Sequence, residues 1–488
     1  MMPLLVALLC LSAHPHQAST FKFVVTAPSV HHFTGRVVVY LGDDTEEPRF
    51  GPDWFNPKPC YSAKFSDADG VAGFTIDNSN AVGFPGKLAD LKPGEYTVQA
   101  VVDLNLGGRA IGDSPGNVYS EPQKIKLNPQ TSGTIAISCK QVAHEIGLIE
   151  TNRLKDFRVK STLLSDWYHR PTYLKAGVVL PTEYLSDPHR KFPIVYEIPG
   201  FGGTYNEDAD GSLDETEKDH QPFIVVVLDP NCPTGHCVFA DSANNGPWGK
   251  ALTTEMIPAI DKAFRTEGDP GARYLRGHSS GGWSSLWLQV EYPLVFGGVW
   301  STSPDPVDFR DFQRIDLYEP GVNMFTDEHG KPRPLARIGT RPYLYYKAFS
   351  DMERPIRGEQ LGSFEAVFSP RGKDGQPEKL WNRDTGDVDE NVAEAWRKYD
   401  IDDKLKTEWY KIGPTLEGKL HVFVGDTDTF YLEGAVKLLK ANLTKLGSDA
   451  EVQIRSGDHM TVLSNNLLNH IDKEMADKYR DWKNHSTQ

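Results

Sequence analysis

Serine is a weak nucleophile until a base takes its proton, and that base needs a third group to orient it. This chain offers all three residue types in a telling order. Gly277-His278-Ser279-Ser280-Gly281 reads G-x-S-x-G, the pattern of a sharp strand-to-helix turn that holds a serine oxygen exposed at its tip. Downstream come Gly425-Asp426-Thr427-Asp428 and then Gly457-Asp458-His459. Serine, acid, histidine is one of the chain orders in which a catalytic triad occurs. The expected roles are Ser279 as nucleophile, His459 as base and Asp428 as the orienting acid. Asp426 and Asp458 compete for the acid role. A serine that attacks an ester carbonyl also needs two backbone N–H groups for the developing oxyanion. Ser280, just after the nucleophile, is one expected donor. The other belongs in Pro199-Gly200-Phe201-Gly202-Gly203, with Phe201 expected and Gly202 as the alternative.

The elements that must position these residues follow from hydrophobic patterning. From Phe21 to about Gln141, short alternating runs such as Gly35–Leu41 and Glu95–Val102 are separated by turn signals like Leu91-Lys92-Pro93-Gly94. This predicts an all-β sandwich over 19–142 with no catalytic constellation of its own. From about His144 strands and helices alternate, which predicts a mostly parallel sheet with helices on both faces over 144–488. Pro222–Asp229 is almost continuously apolar, as a central parallel strand should be. Arg273–Arg276 is predicted as the strand before Ser279, and Ser280–Tyr292 as the helix after it, stopped by Pro293. The rhythm breaks between about 303 and 418, where Val392–Tyr399 reads clearly as helix. This insertion is where a lid or cap would sit. The alternation then resumes through Lys419–Gly425, Tyr431–Leu446 and Glu451–Arg455.

The motifs Pro-Gly-Phe-Gly-Gly, Gly-His-Ser-Ser-Gly-Gly-Trp, Tyr292-Pro293-Leu294-Val295-Phe296-Gly297-Gly298, Gly-Asp-Thr-Asp and Gly-Asp-His together resemble the putative-esterase family of α/β-hydrolases. That family includes enterochelin, feruloyl and acetyl-xylan esterases and S-formylglutathione hydrolase. The resemblance covers roughly 170–300 and 418–470. Pro199-Gly200 stands where many members carry His-Gly. A β-sandwich ahead of the hydrolase is similar to the enterochelin-esterase arrangement. The resemblance implies a serine carboxylic-ester hydrolase without a cofactor, acting on a small-molecule or carbohydrate-linked ester (acetyl or feruloyl) or a siderophore ester. A peptidase or acyltransferase on the same triad, or a non-catalytic binding protein on a hydrolase scaffold, are the rival expectations.

Composition narrows the class. The 488 residues carry a formal charge of −15, which argues against a nucleic-acid partner. Pro3–Ala13 is a short apolar run before Ala18, so 1–18 reads as a secretory signal peptide, and no segment reaches the length of a membrane span. Export would leave Cys60, Cys139, Cys232 and Cys237, with Cys60–Cys139 and Cys232–Cys237 as expected disulfides and free thiols as the alternative. Asn206, Asp208, Asp210, Asp214 and Glu217 have EF-hand spacing around Gly211. Calcium is the sharper reading of that loop and a solvated acidic turn the plainer one. Phe201, Trp248 and Trp283 lie near the chemistry in sequence and are candidates to stack on substrate, or to be core.

Overall fold

The computed structural model describes residues 21–43, 47–105, 107–131, 133–206, 209 and 221–486. Both the signal-peptide expectation and most of the 206–217 loop lie outside them. The chain forms two compact units. One comprises residues up to 51, 58–104 and 118–141, and the other comprises 52–57, 105–117 and 142–488. The division is therefore not a single cut near residue 142. Two short excursions, 52–57 and 105–117, leave the first unit in sequence and are built into the second.

The first unit is all β. Strands β1 (Lys22–Thr26), β2 (Phe33–Gly42), β3 (Cys60–Ala68), β4 (Phe74–Asp77), β5 (Val82–Phe84), β6 (Gly94–Asp103), β7 (Val118–Ser120), β8 (Gln123–Leu127) and β9 (Thr134–Val142) form it. β2 lies between β3 and β6, antiparallel to both, while β1 pairs antiparallel with β4 and parallel with β9. Alternation puts Phe23, Val37, Val39, Tyr61, Phe74, Val98 and Val102 inside, into one apolar core.

The second unit is an α/β-hydrolase. Its strands are β10 (Leu154–Ser161), β11 (Thr172–Val179), β12 (Ile194–Ile198), β13 (Ile224–Leu228), β14 (Arg273–His278), β15 (Gly298–Thr302), β16 (Leu420–Gly425) and β17 (Glu451–Arg455). They order as β10-β11-β13-β12-β14-β15-β16-β17 in one eight-stranded sheet. β11 is antiparallel to its neighbours β10 and β13, and every pairing from β13 to β17 is parallel. Ile224–Leu228 is buried at every position, as its unbroken apolar sequence demands for a strand covered on both faces. β10 alternates charged and apolar residues, which suits an edge strand but not a recognisable core strand.

Four helices matter to the site: α1 (Ser280–Glu291), α2 (Gln360–Phe368), α3 (Ile401–Leu416) and α4 (Glu433–Lys445). α2 and α3 belong to the insertion, which is more helical than its composition suggests. α3 starts where the Asp400 side chain accepts from the Asp403 N–H, and it contains Pro414 near its end. The insertion packs by aromatic rings. Phe368 contacts Trp283, Trp396 and Tyr399 at centroid distances of 5.2, 5.2 and 5.3 Å. Among the described residues, no helix is long and apolar enough to cross a membrane.

All four described cysteines are free and buried, so neither expected disulfide is formed. Cys139 Sγ donates to the Ala100 carbonyl (3.4 Å), and Cys232 Sγ is engaged with Thr234 Oγ1 (3.3 Å). Burial pushes the Cys139 thiol up to about 12.

Candidate active site

Ser279 sits between β14 and α1 with φ 60° and ψ −124°, a conformation costly for a residue with a Cβ. Surrounding backbone fixes it. Its N–H donates to Thr302 O (3.0 Å), and its carbonyl accepts from the N–H groups of Trp283 (3.0 Å) and Asp305 (3.2 Å). The flanking glycines are required by close approach. A Cβ on Gly277 would lie 2.2 Å from Gly281 O, and one on Gly281 would lie 1.9 Å from Ile198 O. The second contact matters most, because Ile198 ends β12 and starts the Pro199–Gly203 loop. That loop therefore rests directly on the first turn of α1.

A Cβ on Gly200 would come within 3.4 Å of Ser279 Cβ, so the glycine loop and the serine are neighbours. The loop closes on itself through Gly203 N–H to Gly200 O (3.0 Å). Among the described residues, the N–H groups of Phe201 and Gly202 have no acceptor. Ser280 opens α1, so its N–H has no intrahelical acceptor. These are the free donors an oxyanion site needs.

Two further loops bring Asp428 and His459 together. β16 and β17 run side by side, and past their ends Asp426 N–H donates to Arg455 O (2.7 Å) and Thr427 N–H to Gly457 O (3.1 Å). His459 Nδ1 is then 2.8 Å from Asp428 Oδ2. Asp428 is fully buried, and its other oxygen accepts from Phe430 N–H (2.9 Å). Its competitors have local duties. Asp426 accepts from Gly457 N–H (3.1 Å), and Asp458 accepts from Met460 and Thr461 N–H (3.0 and 2.8 Å). The imidazole of His459 lies between two rings, Phe430 edge-on at 4.9 Å and His278 at 4.6 Å. Ser279 Oγ makes no hydrogen bond among the described residues, so its hydroxyl is free to rotate toward a base.

Several residues that the motifs did not reveal support this site. His236 is buried, and its Nδ1 accepts from Val238 N–H (3.0 Å), so its Nε2–H donates to Pro199 O (3.0 Å). Burial lowers His236 to about 4, which keeps it neutral under the glycine loop. Asp305 is buried behind the nucleophile and accepts from Ser280 Oγ (2.5 Å), with Gln360 of α2 beside it. Desolvation raises Asp305 to about 6. Arg337, from the insertion, donates its backbone N–H to Thr429 O (2.8 Å) and Nε–H to Asp428 O (2.9 Å), and it pairs with Glu433 (2.7 Å). Only the three-dimensional path of the insertion places Arg337 on the acid loop, so no sequence signal marks it. His236 had a faint one, a histidine in a Gly- and Cys-flanked turn.

An aromatic wall lines the glycine loop. Trp54, from the 52–57 excursion, lies 5.4 Å from Phe201, 5.0 Å from Phe349 and 6.4 Å from Phe430. Its Nε1–H donates to Glu359 Oε2 (2.8 Å), and Glu359 Oε1 is 3.6 Å from Arg109, whose guanidinium lies 5.0 Å over the Phe201 ring. Trp54, Phe201 and Phe430 are all partly exposed. By contrast, Trp248 and Trp283 are 4% and 1% exposed. Trp283 stacks on Trp287 at 5.3 Å, and Trp248 is edge-on to Phe239 with its Nε1–H on Asn245 O. The structure places both in the interior and assembles the wall from rings far apart in sequence.

The family described as putative esterase matches residues 171–400. The match spans 230 of the 488 residues, just under half of the chain. No curated protein matches its sequence. Among solved structures, a ferulic acid esterase is 13% identical with a TM-score of 0.41, covering 67% of this chain and 98% of that one. An S-formylglutathione hydrolase from Agrobacterium tumefaciens is 14% identical with a TM-score of 0.39, covering 68% and 99%. Dipeptidyl peptidase 4 from Porphyromonas gingivalis is 12% identical with a TM-score of 0.39, covering 88% of this chain and 49% of that one.

Proposed function

We propose that this protein is a serine carboxylesterase in which Ser279, His459 and Asp428 form the triad. The observation that supports the reading is the 2.8 Å contact between His459 Nδ1 and buried Asp428, with the His459 ring 4.6 Å from that of His278, the residue before a serine held at positive φ. Asp428 fixes the tautomer with Nδ1 protonated, leaving Nε2 to take the Ser279 proton. Ser279 Oγ attacks the ester carbonyl, and the oxyanion is held by the N–H groups of Ser280 and Phe201, with Gly202 as the alternative to Phe201. The alcohol leaves with the proton that His459 returns. Water, deprotonated in turn by His459, then cleaves the acyl-enzyme to acid and free Ser279. No cofactor enters these steps.

The wall of Trp54, Phe201 and Phe430 supports an ester with a planar, aromatic acyl group, as on a feruloylated carbohydrate, over an acetyl ester. A fluorophosphonate probe followed by peptide mapping tests the nucleophile, and modification anywhere but Ser279 refutes it. Paired p-nitrophenyl and methyl cinnamate-type esters against peptide substrates test the class. The export expected from Pro3–Ala13 is tested by sequencing the mature N-terminus, which should begin shortly after Ala18.

A further inference from the structure

The acid and the base follow the C-terminal ends of β16 and β17. At the opposite ends of the same two strands lies a second cluster. His421 is the second residue of β16, Glu451 is the first of β17, and Glu474 and His470 project from the C-terminal helix α5 (Asn465–Ser486). One ligand atom each from His421, Glu451 and Glu474 lies within 4.8 Å of the others. We propose that these three residues form a site for a divalent transition-metal ion of the Zn2+ class.

Three features favour an ion over a mere charge cluster. First, the His421 tautomer is fixed. Nδ1 is 3.0 Å from the Val299 carbonyl, which can only accept, so Nδ1 carries the hydrogen and Nε2 presents its lone pair. A backbone carbonyl holding one imidazole nitrogen while the other ligates is the usual outer support of a metal-bound histidine. The ring is also immobilised, stacked on Trp300 at 4.5 Å and 6°. Second, Glu451 Oε2 is buried with no hydrogen-bond partner, although it belongs to a carboxylate. Third, two carboxylates face each other. Glu474 is held in place by Trp300, whose Nε1–H donates to it (2.9 Å). His470 Nε2 reaches both, at 3.1 Å from Glu451 and 3.5 Å from Glu474. Lys478, the nearby cation, donates to the Gly418 carbonyl instead. One imidazole and two carboxylates form a mixed N/O set that suits zinc over calcium or magnesium, which prefer oxygen alone.

Such an ion would tie β16, β17 and α5 together at the edge of the sheet remote from Ser279. Its role would be to hold the register of the two strands that deliver Asp428 and His459. The test uses the full chain, stripped with chelator and dialysed, then titrated with ZnCl2 by calorimetry. Expected is one equivalent bound with an upward shift in melting temperature. Co2+ should give the visible absorption of a low-coordinate site. His421→Phe keeps the ring on Trp300, Glu474→Gln keeps an acceptor for Trp300, and each should weaken Zn2+ at least ~10-fold. Circular dichroism of both variants in chelator should match the parent, which separates lost binding from lost fold. No Zn2+ binding by the parent, or binding that survives unchanged in either variant, overturns the proposal.

Discussion

Ser279 carries strain that only its setting justifies, and its replacement gives the sharpest residue-level expectation. Ser279→Ala should lower ester turnover by at least ~10^4-fold with an unchanged melting temperature, measured on p-nitrophenyl esters. Asp428→Asn should cost on the order of 10^3–10^4-fold, because the amide can hold His459 in the wrong tautomer, whereas Asp426→Asn should leave kcat near the parent value. Asp305 gives a pH signature. Its carboxyl is raised from the ordinary 3.8 to about 6 by burial, so the folded state holds that proton more tightly than the unfolded chain. Its contribution to stability is full below about pH 4 and is lost as pH rises through about 6. Denaturant melts should therefore show the stability of the parent relative to Asp305→Asn falling by on the order of 3 kcal/mol between those values. A flat difference would show that Asp305 is ionised in the fold throughout. Ser279, Asp428 and His459 were readable as candidates because each sits in a short local motif at a strand end. Asp305, His236 and Arg337 were not, because what defines them is a partner 25 to 91 residues away in sequence.

At the scale of elements, the crossing of β12, β14 and α1 has no room for side chains at the glycines. Gly281→Ala should destabilise the protein by about 3 kcal/mol or prevent its accumulation, read as a loss of melting temperature or soluble yield. Arg337 joins the insertion to the Asp428 loop through two bonds and to Glu433 of α4 through a third. Arg337→Ala should lower kcat roughly 10- to 100-fold with little change in KM, since it loosens the residue that orients His459 without touching substrate. The hydrolase strands and α1 were legible from continuous apolar runs and a proline stop. The helices of the insertion were not, because they bury aromatic residues at irregular spacing and are fixed by capping carboxylates. Glu353, for example, accepts from the N–H groups of Leu361 (2.8 Å) and Gly362 (2.9 Å) at the start of α2. The contrast between Trp54 and Trp283 has the same origin. Nearness in sequence to the nucleophile pointed to Trp283, and packing chose Trp54.

For the whole molecule, the hydrolase unit is not contiguous. The excursions 52–57 and 105–117 supply Trp54 and Arg109, which meet the glycine loop and Glu359. A fragment spanning 142–488 would keep the triad and lose both residues. It should melt lower than the full chain, and its kcat/KM should fall more for aromatic acyl esters than for acetyl esters. Equal losses on the two substrates would remove the aromatic wall from the specificity argument. Adding residues 52–57 as a free peptide should not restore the difference, because Trp54 Nε1 must reach Glu359, 305 positions away.

This interleaving also bears on how the gene can change. A single crossover between residues 58 and 142 would exchange a stretch of the β unit and, with it, one or both excursions. The two units therefore cannot be swapped like beads on a string. On the proposed reading, a lineage that altered residues 52–57 or 105–117 would shift substrate preference while the Ser279, Asp428 and His459 motifs stayed as they are.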